Sequence, residues 1–81
     1  MSLHDELMTD IFVKLNELNK GSHFYTKEIE SIFINFDVFN KLSSEEEAIG
    51  KLIVSEKGLS FCGIPIVRGD TVEKWELRVN S

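Results

Sequence analysis

The sequence predicts an α+β protein, with two or three N-terminal amphipathic helices packed on a C-terminal β-hairpin. Three observations carry this. Leu3, Leu7, Met8, Ile11, Phe12, Leu15 and Leu18 recur at three- and four-residue intervals, one apolar stripe on a 3.6-period helix. At the end of the chain the period drops to two, where Glu73, Trp75, Leu77 and Val79 alternate with Lys74, Glu76 and Arg78. Just before that stretch, Arg68-Gly69-Asp70-Thr71 is turn chemistry.

The first helix is predicted over 3–20. Ser2 is its cap, Asp5 reaches back from three residues on, and Asp5 and Glu6 suit the positive end of the helix dipole. Gly21 is the predicted stop. A second helix is predicted over 26–37, capped by Thr26, with Ile29, Ile32, Phe33 and Phe36 on one face. A strand over part of 31–39 is the alternative, because Ile32, Ile34, Phe36 and Val38 also alternate. Ser43-Ser44-Glu45-Glu46-Glu47 predicts a third helix over 43–57 that Gly58 closes, with Ala48, Ile49, Leu52 and Ile53 facing inward. Gly50 inside that helix costs up to about 1 kcal/mol relative to alanine, which suggests a close approach to another element. The hairpin then occupies 59–79, its first strand bent at Gly63 and Pro65. Helix, helix, helix, hairpin is also the order of a winged helix.

The chain of 81 residues, 42% of them apolar and 28% charged, forms one domain, 1–81, near the lower size limit for folding unaided. Such a core rarely supplies more than about 3–5 kcal/mol of net stability, so a homodimer that buries the last strand or the stripe of the first helix is expected. The single cysteine, Cys62, excludes an internal disulfide. No apolar run spans a bilayer, and Asp5, Glu6 and Asp10 interrupt any signal-peptide core, so no membrane partner and a cytoplasmic location are expected. The net charge of −5 lies entirely in residues 1–58, with six Lys against eleven Asp and Glu; residues 59–81 balance three against three. That layout repels a polyphosphate backbone, and nucleic acid is disfavoured as a partner.

Catalysis finds no support in the residue pattern, and neither a cofactor nor a metal site is expected. His4, His23 and Cys62 match no zinc spacing. Glu45, Glu46 and Glu47 point in different directions on a helix and complement its dipole better than they converge on a ligand. There is no phosphate loop, nucleophile elbow or dinucleotide fingerprint. Arg68-Gly69-Asp70 spells the tripeptide that integrins read, and turn chemistry accounts for it. The candidate partner-binding residues are Trp75 and Leu77, as interface anchors, together with Glu45, Glu46 and Glu47.

Phe61-Cys62-Gly63-Ile64-Pro65-Ile66-Val67, followed by Asp70 and Val72, resembles a pattern in small phage-encoded proteins. Those proteins carry an aromatic, one variable residue, Gly-Ile-Pro and a β-branched pair. The chain departs where they often have a second proline, because Glu73 follows Val72. The resemblance implies an origin in a phage or prophage and no particular activity. The expected function is a non-catalytic protein-interaction module, a host protein being among its candidate partners. A winged-helix nucleic-acid binder or transcription accessory protein is the first alternative, and an acidic inhibitor of a host enzyme is the second.

Overall fold

The computed structural model describes residues 2–20 and 28–79. The chain is α+β: helices packed on one face of a five-stranded mixed sheet. Helix α1 spans Leu3–Leu18, strand β1 Ile29–Ile34, helix α2 Phe36–Ser43 and the single-turn helix α3 Glu46–Ile49. Strands β2 Leu52–Ser55, β3 Gly58–Phe61, β4 Ile64–Arg68 and β5 Trp75–Val79 follow. The sheet order is β2-β3-β4-β1-β5, with β1 parallel to β4 and the other neighbours antiparallel.

Helix α1 matches its expectation closely. Ser2 caps it, its Oγ accepting from the Asp5 backbone N–H at 3.1 Å, and Leu7 and Ile11 of the stripe are buried in the core. It ends at Leu18 with Asn19 as C-cap. The predicted stop Gly21, His23 and the predicted cap Thr26 lie outside the described residues.

The second helix requires correction. Residues 29–34 form β1, an interior strand flanked by β4 and β5. The β-branched alternation outweighs the helical period because both neighbours bury it: Ile32 and Ile34 turn to the helices and are fully buried, while Phe33 turns to the other face. Helix resumes only at Phe36, and Asn35 makes the switch. Its Oδ1 accepts from the Asp37 N–H at 2.9 Å, its Nδ2 donates to the Val72 carbonyl at 3.1 Å, and its own N–H donates to the Lys74 carbonyl at 2.9 Å. An asparagine before Asp37 was the sequence signal for this cap.

The third helix shrinks to one turn. Ser43 and Ser44 bond backward, their hydroxyls donating to the carbonyls of Asn40 and Lys41, so neither caps a forward helix. Beyond Ile49 the chain turns at Gly50, which has open space around it and no close approach, and Leu52-Ile53-Val54-Ser55 pairs with β3. Glu56-Lys57 is thus the turn of a β2–β3 hairpin, and Gly58 opens β3 rather than closing a helix. The winged-helix order is absent, since a strand replaces its second helix and a hairpin most of its third.

The predicted 59–79 hairpin is divided. Strands β3 and β4 do form one, through Cys62 and Gly63 with φ of 52° and 81°, the two left-handed positions of a turn whose twist suits paired strands. This explains the aromatic-x-Gly-Ile-Pro pattern, in which the glycine serves the turn and the apolar residues the strands. Strands β4 and β5 do not pair with each other, because β1 lies between them. The chain crosses the end of β1 at Gly69, whose N–H donates to the Ile34 carbonyl at 2.9 Å. A Cβ on Gly69 would stand 3.2 Å from Phe33 Cβ and from Val72 Cγ2, so the crossing favours glycine.

The core comprises Leu7, Ile11, Ile29, Ile32, Ile34, Leu42, Ala48 and Phe61, with Trp75 and Leu77 packed against it. The far face of the sheet, around Phe33, Pro65, Val67 and Arg78, has no helix over it among the described residues; Arg78 lies 4.6 Å over the Phe33 ring.

Candidate protein-interaction site

The candidate residues fall into two places along α1. Trp75 and Leu77 sit on β5, an edge strand paired with β1 alone among the described residues. Both are half-buried against the core. The Trp75 indole N–H donates to Asp10 Oδ2 at 2.7 Å, and Lys74 Nζ bonds Glu6 Oε2 at 2.7 Å while lying 4.7 Å over the Trp75 ring. These contacts fasten α1 to β5 and leave a groove of about 300 Å³ between them, lined by Asp10, Val13, Lys14, Glu17, Trp75 and Leu77.

The backbone of β5 makes that groove usable. Lys74 directs its carbonyl to Asn35 on the β1 side. By strand alternation Glu76 and Arg78 do the same, so Trp75, Leu77 and Val79 turn their N–H and C=O groups to the open edge. A chain laid along that edge would find backbone partners there, and alternate side chains would enter the groove.

The glutamates are elsewhere. Glu45 accepts from the backbone N–H groups of Leu3 at 3.0 Å and His4 at 2.8 Å, and Glu47 accepts from the Ser2 hydroxyl at 3.3 Å. They therefore complement the dipole of α1, a helix far away in sequence, rather than that of their own single turn. Glu46 is exposed. Sequence spacing alone could not have found this, because the acceptors arrive from more than forty residues away.

At the same helix end, His4 Nδ1 lies 3.0 Å from Asp5 Oδ1 and 3.5 Å from Glu47 Oε2, and the ring meets Phe61 edge-on with centroids 6.2 Å apart. His4 Nε2 is buried with no partner among the described residues. One atom each from His4, Asp5 and Glu47 falls within 4.8 Å of the others, a grouping that the expected zinc spacings did not include. The two carboxylates are more than half exposed, and the positive end of α1 opposes a cation there. A chelator is accordingly expected to leave the thermal midpoint unchanged, measured by Trp75 fluorescence; a fall in the midpoint would mark the three as metal ligands.

Cys62 is exposed at the β3–β4 turn, its Sγ 3.7 Å from Met8 Sδ. Partial burial of the thiol raises its pKa above the ordinary value, an effect that Lys51 offsets in part. That shift disfavours the thiolate at neutral pH and with it a nucleophilic role. Among the described residues, no helix is long and apolar enough to cross a membrane. No family model matches the chain, and no curated protein or solved structure is significantly similar to it.

Proposed function

We propose that the protein is a non-catalytic interaction module, of phage or prophage origin, that captures an extended segment of another protein along β5. The observation that carries this reading is the juxtaposition of an open strand edge with the α1 groove that Trp75 and Leu77 line. Backbone bonding to an edge supplies affinity, and alternate side chains in a neighbouring groove supply selectivity. Asp10 and Glu17 outnumber Lys14 on the rim, so the fitting segment has apolar residues at every second position and a Lys or Arg beside them.

Two observations favour this reading over the alternatives. A winged-helix reader needs a recognition helix, and the corresponding helix is four residues long and begins with glutamates. An acidic mimic needs carboxylates displayed along a face, whereas Glu6, Asp10 and Glu45 are engaged with Lys74, Trp75 and the α1 backbone.

Selection from a displayed library of linear peptides tests the proposal. Enriched peptides are expected to show apolar residues in alternation, to shift the emission of Trp75, the only tryptophan, and to lose binding to Val13→Glu. Val13 is half exposed on α1, so that substitution spares the fold. No enrichment, or binding that ignores both Trp75 and Val13→Glu, would overturn it.

A further inference from the structure

The two edges of the sheet are differently equipped. On β5 the apolar side chains Trp75 and Leu77 are already covered in part by α1, and Glu76 and Arg78 pair with each other at 3.3 Å. On β2, Leu52-Ile53-Val54-Ser55 has no charge and no proline, and Ile53 is 55% and Val54 81% exposed. An uncharged apolar strand with an open edge is a template for further pairing.

We propose that β2 pairs antiparallel with β2 of a second copy, about a twofold axis through Ile53, joining two five-stranded sheets into one. The backbone sets which groups are available. The Lys51 carbonyl accepts from the Cys62 N–H at 3.0 Å, so Lys51, Ile53 and Ser55 turn their backbone groups to β3. Leu52 and Val54 then turn theirs outward.

Twofold pairing places residues of the same face opposite each other, which leaves two central registers. With Val54 on the axis, Lys51 would oppose Lys57 of the other copy and Leu52 would oppose Glu56. Like charges directly opposite are unfavourable, and apolar faces charged. With Ile53 on the axis, Ile53 meets its own copy, Leu52 meets Val54 on both sides, and Lys51 meets Ser55. Every apolar residue of the strand finds an apolar partner, and no like charges are opposed. The net charge of −5 opposes association at long range, but salt at about 0.15 M screens charges beyond about 8 Å, and the charged residues flanking the strand are Lys51, Glu56 and Lys57.

The choice of β2 over β5 rests on exposed apolar surface. Strand β5 has a workable self-pairing of its own about Leu77, with Trp75 opposite Val79 and Glu76 opposite Arg78. Association is driven by the apolar area removed from water, and β2 has more left to remove. Four residues per copy fall short of the roughly 1,000 Å² of a permanent interface, so the dimer is a weak, concentration-dependent one.

Sedimentation over a concentration series, combined with cysteine cross-linking, tests this in the full chain. The parent is expected to move from monomer toward dimer with concentration, and Val54→Lys to remain at 9.3 kDa throughout. The groove substitution Val13→Glu should leave the dimer intact, which separates this proposal from the capture of a partner segment at β5. In a Cys62→Ser background, Ile53→Cys should cross-link to its copy under mild oxidation. Opposed residues without mutual hydrogen bonds lie about 4.5 Å apart at Cα, within disulfide range. Val54→Cys and Leu77→Cys should cross-link far less. A parent that stays monomeric at its highest soluble concentration would overturn the proposal. So would a dimer that survives Val54→Lys, or one in which Leu77→Cys cross-links fastest.

Discussion

Phe61→Ala is expected to leave the protein largely unfolded at room temperature. Among the described residues Phe61 is the largest side chain with no solvent exposure, and it lies where β3 meets β4, against the ring of His4 and the rest of the core. Truncating a buried phenylalanine costs about 3–5 kcal/mol through lost transfer energy and the cavity left behind. A domain this small rarely holds more than about 3–5 kcal/mol in reserve, so one substitution consumes the margin. The control is Phe12→Ala. Phe12 is 59% exposed on α1, and its loss should cost no more than about 0.5–1 kcal/mol. Near-ultraviolet circular dichroism and Trp75 emission would report both. A Phe61→Ala protein that melts near the parent would show that β3 does not close the core as described.

Glu45→Ala is expected to destabilise the fold by about 1–2 kcal/mol, the cost of removing a helix cap. Its carboxylate holds two N–H groups at the start of α1 and ties α3 to that helix. Glu45→Gln keeps one acceptor oxygen and loses the charge that complements the dipole, so it should fall between Glu45→Ala and the parent. Glu46→Ala should change almost nothing, because Glu46 is exposed. Urea titration at constant slope would rank the three. Equal effects at Glu45 and Glu46 would return the triplet to the role its spacing suggests, that of a local complement to its own helix.

The contrast between these glutamates shows how far the sequence could be read. Helix α1 was legible residue by residue, including its cap, because helical hydrogen bonds close within four residues and the stripe records them locally. The α+β class was legible from the change of period along the chain, whereas the turn at Cys62-Gly63 was expected only as a bend within one strand. Trp75 and Leu77 were recognisable from type and alternation as the apolar face of a terminal strand, but that they border a groove with α1 depends on Asp10 and Glu6 fastening that helix.

What only the tertiary structure decided was the pairing of segments remote in the chain. Residues 29–34 satisfy a helical and a strand pattern equally well in isolation. They become β1 because β4 and β5 arrive along both edges with backbone groups to pair, and burial of Ile32 and Ile34 against the helices rewards the β-branched side chains. Residues 52–55 become β2 because β3 lies beside them, although three glutamates upstream announce a helix. Glu45 and Glu47 serve α1 because α3 packs beside its N-terminus. A strand carries no internal hydrogen bonds, so its identity, its neighbours and its open edge are properties of the assembled sheet. A helix completes its own bonds, and so it could be read from the sequence alone.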